Sequence, residues 1–146
     1  MKKIYLSVVC LLISIPLIAQ LYVEPEKEVE CSVFLAKEGR GRAQQGLEIW
    51  DDYIFSCEDG GHVNIYDFKS ADPKPVAGFE LASSHPDNHV NNVCFGVETK
   101  RGASFPLLYI TNGKVGSELE WLCFVESITR RGKRFSSEIV QTIELD

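Results

Sequence analysis

The densest run of residues able to do chemistry is SSHPDNHVNN, residues 83–92. It gathers His85, Asp87, Asn88, His89, Asn91 and Asn92. His85 and His89 have H-x3-H spacing, which with Asp87 could serve a metal ion. That spacing converges two imidazoles mainly on a helix, and Pro86 opposes a helix here. The competing reading is a loop whose imidazole and amides satisfy backbone groups where two sheets meet. No metal and no cofactor are therefore expected. His85, Asp87, His89, Asn91 and Asn92 stand as candidate ligand-binding residues. For His89 and Asn91 the alternative role is a latch holding residues 83–88 onto the neighbouring sheet.

Paired carboxylates occur twice, at Asp51-Asp52 and Glu58-Asp59. Glycosidases use such pairs, but both pairs fall in turns, where acidic residues are common for conformational reasons. Trp50 and Trp121 could stack on a sugar; their strand-like surroundings assign them to the core instead. Arg130, Arg131, Lys133 and Arg134 read as a basic, solvated turn. The chain contains no G-x-S-x-G, H-E-x-x-H or P-loop motif. No catalytic residue is assigned.

These residues need a scaffold, and residues 45–68, QGLEIWDDYIFSCEDGGHVNIYDF, supply its organising stretch. They read as three short strands. Asp51-Asp52 makes the first turn, since Asp tolerates the left-handed conformation a two-residue hairpin loop needs. Glu58-Asp59-Gly60-Gly61 makes the second, its glycines supplying positive φ without steric cost. The middle strand carries Tyr53, Phe55 and Cys57 on one side and Ile54 on the other, so both its faces call for cover.

A weak fourth strand over 76–81 follows, led in by Pro75 as an edge strand tolerates. A second cycle then repeats the pattern, with strands expected over 90–97, 105–110, 119–128 and 135–145. An earlier strand over 29–36 could close the architecture by joining a distant sheet. No helical periodicity survives beyond the leader. The fold class is all-β, in antiparallel meander blades of a β-propeller: about two blades, 45–81 and 89–146, plus the closing strand in a lead-in over 20–44. Two blades cannot close a ring, so the chain is expected to be part of a longer propeller or to assemble with copies of itself.

Residues 1–19 form the pattern of a secretory signal peptide. Lys2 and Lys3 precede an almost wholly apolar run to Ile18, and Ala19 offers a small residue for cleavage before Gln20. The run is shorter than the ~20 residues a membrane span needs. Without Lys2 and Lys3, the 15 basic residues fall to 13 against 21 acidic ones, a net charge of −8. That balance argues against nucleic acid or an anionic membrane as partner. Four cysteines remain after cleavage: Cys31, Cys57, Cys94 and Cys123. Two disulfides are possible in an exported protein. The apolar strand settings of Cys57, Cys94 and Cys123 point instead to buried free thiols.

The residues Gln45-Gly46, Asp52, Phe55, Gly61, Tyr66-Asp67, His89, Asn91, Phe95-Gly96 and the run 105–110 carry a resemblance. From about residue 29 onward the chain resembles uncharacterised secreted β-propeller proteins of Gram-negative gut bacteria, similar in outline to YncE-like and quinoprotein-dehydrogenase-like propellers. The resemblance implies a longer repeat protein with no assigned reaction. The expectation is a periplasmic or extracellular binding or interaction module of propeller type, with an unidentified ligand or protein partner in the envelope. A periplasmic hydrolase or lyase with its site at the propeller mouth is the alternative.

Overall fold

The computed structural model describes residues 43–72, 74–113 and 115–145. The signal peptide expected over 1–19, Cys31 and the strand expected over 29–36 lie outside them. Eight strands follow one another: β1 (Gln44–Trp50), β2 (Tyr53–Glu58), β3 (His62–Asp67), β4 (Ala77–Glu80), β5 (Asn92–Phe95), β6 (Leu108–Thr111), β7 (Leu122–Arg131) and β8 (Arg134–Glu144). No helix occurs among the described residues. The fold is all-β, as the alternation of apolar residues and turn signals implied. Strands β1 to β4 form one antiparallel sheet in chain order, and β5 to β8 form a second. Neither sheet closes on itself.

Local chemistry accounts for the meander. Trp50 pairs with Tyr53, so Asp51-Asp52 is a two-residue hairpin loop, and Asp51 takes a φ of 53°. Asp is among the few residues that do this cheaply. The β2–β3 turn places Gly60 and Gly61 at φ 87° and 95°. At Gly61 a side chain is excluded twice over, because a Cβ would also lie 2.8 Å from the Ser84 Cα. Arg131 pairs with Arg134, which leaves Gly132-Lys133 as the β7–β8 turn, with Gly132 at φ 64°. The basic turn expected from the sequence is therefore shorter: Arg130 and Arg131 belong to β7.

The two sheets stack with β1 against β5 and β4 against β8. One core fills the space between them. Phe55, fully buried on β2, meets the edges of Phe95 at 5.0 Å and Phe105 at 5.1 Å between ring centroids. Phe79 stacks on Phe135, and Val63, Ile65, Leu108, Ile110 and Ile128 complete the packing. Such edge-to-face pairs add about 0.5–1.5 kcal/mol each beyond area burial. The opposite face of β2 and β3 carries Ile54, Ser56, Glu58, Asn64 and Tyr66, also buried. The strand is thus covered on both sides although that face is partly polar, with Asn64 Nδ2 donating to Glu58 Oε1 at 2.8 Å.

Three expectations are corrected. Trp50 and Trp121 are not core residues; they are 42% and 64% exposed, because one faces the rim of the sheet interface and the other precedes β7. Cys94 is exposed, while Cys57 and Cys123 are buried, and all three are free. Cys94 sits on the edge strand β5, whose outer face is open. The strand expected from residue 90 begins at Asn92, since Val90 adopts φ 46° and cannot join a ladder. A buried, β-branched residue at positive φ is held there by its surroundings at a cost of about 1–3 kcal/mol.

Candidate functional site

The sheet interface has two ends, marked by the two ends of β2. At the Glu58–Asp59 end lies the polar loop that dominates the sequence. Asn88, fully buried, donates from Nδ2 to the Ser83 carbonyl at 3.0 Å and accepts the Val90 N–H on Oδ1 at 3.1 Å. Its carbonyl accepts the Gly60 N–H at 2.7 Å, and Ser84 Oγ donates to the Gly60 carbonyl at 2.8 Å. These bonds tie the connection between the sheets to the β2–β3 turn. From the other side comes Glu126 of β7, also fully buried. Its two oxygens accept the N–H groups of Ala82 at 3.0 Å and Ser83 at 2.8 Å.

The sequence candidates are distributed around this knot without converging. His85 accepts the Asp87 N–H on Nδ1 at 3.1 Å. His89 turns elsewhere, its Nε2 3.6 Å from Asp59 Oδ1, while its backbone N–H goes to Asn112 Oδ1 at 2.9 Å. The H-x3-H histidines thus face different carboxylates. Among the described residues no three His, Cys, Asp or Glu side chains group as metal ligands would. Asn91 packs its amide against Gly113, where a Cβ would lie 1.9 Å from Nδ2, and its buried Oδ1 has no hydrogen-bond partner. Asn92 is exposed at the start of β5, opposite Thr111. Asn88, Ser84 and Glu126 hold the loop to both sheets; His89 adds its backbone bond to Asn112 and, from its side chain, the longer contact to Asp59.

At the other end, where β2 begins, a cleft of about 410 Å³ opens between the sheets. One wall is the β3–β4 connection, with Asp67, Ser70, Asp72 and Lys74; the other carries Arg130, Lys133 and Phe135. Arg130 lies on the inward side of β7, two residues after Ile128 and four after Glu126, as strand alternation requires. Its guanidinium sits 5.0 Å from the Tyr53 ring centroid and 5.7 Å from that of Phe135. Nε donates to the Gly132 carbonyl at 2.8 Å, and Nη1 donates to the Tyr53 hydroxyl. The Arg130 main chain is fixed too, its N–H bonded to Ser104 Oγ at 2.9 Å. No carboxylate pairs with Arg130 among the described residues.

On the opposite wall the acids serve the local turns. Asp67 Oδ1 accepts the Lys69 N–H at 2.9 Å, and Asp72 Oδ1 accepts the Lys74 N–H at 3.1 Å. Sequence reading passed over this cleft because Arg130 belongs to a run of four basic residues. The signal available was the alternation Phe124, Glu126, Ile128, Arg130, which carries the strand one turn further than the charge run suggests.

Titration behaviour separates the thiols. Burial, with Glu126 and Glu48 nearby, pushes the Cys57 thiol up to about 12. Cys123 is also raised, chiefly by burial. Neither is set up as a nucleophile, since only the thiolate reacts.

No family model and no curated protein sequence matches the chain. Among solved structures, one titled "KlHsv2 with loop 6CD replaced by a Gly-Ser linker" is similar at 11% identity and a TM-score of 0.45, covering 70% of this chain. The match spans 31% of that structure's length. A likeness of this size carries no argument about function.

Proposed function

We propose that the two sheets are adjacent blades of a propeller-type scaffold and that the protein is an exported, non-catalytic binding module. The observation that carries the reading is the stacking of two four-stranded meanders in matching order, first strand on first and last on last, over a shared core. Blades related in this way present their connecting loops at the ends of the interface, where propellers bind ligands. In this reading further blades complete the ring, in copies of the chain or in additional sequence, and the leader at residues 1–19 directs export to the periplasm or beyond. The kinship with exported propellers belongs to the same proposal. The acidic balance of the chain favours a ligand or protein partner over nucleic acid.

The test is a ligand screen by thermal shift on the protein lacking residues 1–19, repeated with divalent metal and with EDTA. Ligand-induced stabilisation that is indifferent to EDTA is the expected result. Metal-dependent stabilisation accompanied by turnover would sink the reading in favour of a hydrolase or lyase. Sedimentation addresses the scaffold: a compact monomer that unfolds cooperatively would contradict the propeller and point to a two-sheet sandwich.

A further inference from the structure

We propose that the cleft between the β3–β4 connection and the β7–β8 turn binds the carboxylate of a small organic zwitterion, with Arg130 as its receptor. The inference rests on reading the protein as a binding module and adds the site and the ligand class. An arginine guanidinium is a cation that offers five N–H donors. In a chain with 21 acidic residues against 15 basic ones, Arg130 nonetheless has no carboxylate partner among the described residues. Its internal bonds go to neutral acceptors, the Gly132 carbonyl and the Tyr53 hydroxyl. They fix the plane of the guanidinium without neutralising it.

That is the arrangement of a pre-set anion receptor. The Tyr53 and Phe135 rings hold the side chain in place, so little conformational freedom is left to lose on binding. Among the described residues Nη2 makes no hydrogen bond, which leaves donors for a carboxylate in the fork geometry only Arg offers. Lys133, in the turn beside it, adds a second positive charge to the same wall. The cleft volume of about 410 Å³ falls in the range of small-molecule pockets, roughly 300–1,000 Å³.

The opposite wall selects among carboxylates. Asp67 and Asp72 line it together with Lys74, so the two carboxylates outweigh the one ammonium and the wall disfavours a second negative charge on the ligand while favouring a positive one. Three probes of equal chain length separate these cases: 5-aminovalerate, valerate and glutarate. The expected order of affinity is zwitterion first, monocarboxylate second and dicarboxylate last.

Titration of the isotopically labelled protein, followed by NMR, tests the proposal. 5-Aminovalerate should shift the amides of Arg130, Lys133 and Asp67 saturably. Arg130→Lys should weaken binding at least about tenfold, because it keeps the charge and loses the fork. Lys133→Ala, a change in an exposed turn, should weaken it less and serves should the Arg130 variant fail to fold. The proposal is overturned if none of the probes shifts the cleft amides, or if folded Arg130→Lys binds as well as wild type. Saturable shifts confined to residues 83–92 would also overturn it, yet would leave the binding-module reading standing.

Discussion

The two ends of the sheet interface spend their polar groups differently. At the Asn88 end, the Asn88 amide, the Glu126 carboxylate and the Ser84 hydroxyl are committed to main-chain partners, Asn88 and Glu126 each to two or more, while the enclosed acceptors Asn91 Oδ1 and Glu58 Oε2 have no hydrogen-bond partner among the described residues. At the Arg130 end a fixed cation has donors left over. A high density of polar residues is therefore a poor guide to a binding site. What distinguishes one is hydrogen-bonding capacity that the fold positions, does not consume and leaves accessible, as at the exposed Arg130 and not at the enclosed Asn91 Oδ1. The Asn88 end should respond to substitution through stability, and the Arg130 end through ligand affinity.

The sharpest way to break that contrast is Glu126→Ala. It removes the acceptor for two N–H groups, of which Ala82 retains Ser137 Oγ at 2.9 Å while Ser83 loses its carboxylate partner. Hydrogen bonds to a charged group contribute about 1.5–3 kcal/mol each, so a loss of about 2–4 kcal/mol is expected in urea denaturation. An unchanged midpoint would show that the connection between the sheets is held by packing alone.

A smaller effect comes from Cys57, whose thiol lies in the core within the field of Glu126. In the unfolded chain it ionises near its ordinary value of 9.0, whereas in the fold it holds its proton to about 12. Between those values the unfolded state binds fewer protons, so stability must fall as pH rises. The slope is about 1.4 kcal/mol per pH unit. Between pH 9 and 10.5, wild type should lose about 1.5 kcal/mol of stability that Cys57→Ala does not lose. Parallel stability curves would remove Cys57 from the buried set.

The smallest effect is expected at His89. Its contact with Asp59 spans 3.6 Å between side chains about one-third exposed, and such pairs contribute about 1 kcal/mol or less. His89→Ala should therefore leave the melting temperature nearly unchanged and 5-aminovalerate binding intact. A large destabilisation would return His89 to the latch. Selective loss of ligand binding would move the site to the Asn88 end.

The alternation in Tyr53-Ile54-Phe55-Ser56-Cys57, the Asp51-Asp52 loop and Gly60-Gly61 were enough to place β1, β2 and β3 from the sequence, because hairpin register and turn geometry are local properties. The second sheet was legible in its order and turns for the same reason, but β6 begins at Leu108 where 105 was expected, β7 runs Leu122–Arg131 where 119–128 was expected, and β5 starts late. There Val90 takes a strained φ that only the surrounding knot enforces. Burial was less legible at Trp50 and Cys94, since apolar strand patterns do not reveal which strand is an edge, and at Trp121, which an apolar run drew into the strand although it precedes β7. The candidate site was the least legible part. Whether His89 or Asn88 carries the latch depends on which of them brings its main-chain carbonyl to the Gly60 N–H across the β2–β3 turn. Whether Arg130 is solvated or poised over Tyr53 depends on a residue 77 positions away. By itself the sequence determined strands, turns and an all-β fold. Only the stacking of the two sheets decided which polar groups were consumed and which were left to act, because hydrogen bonds between residues far apart in sequence leave no periodic trace in the chain.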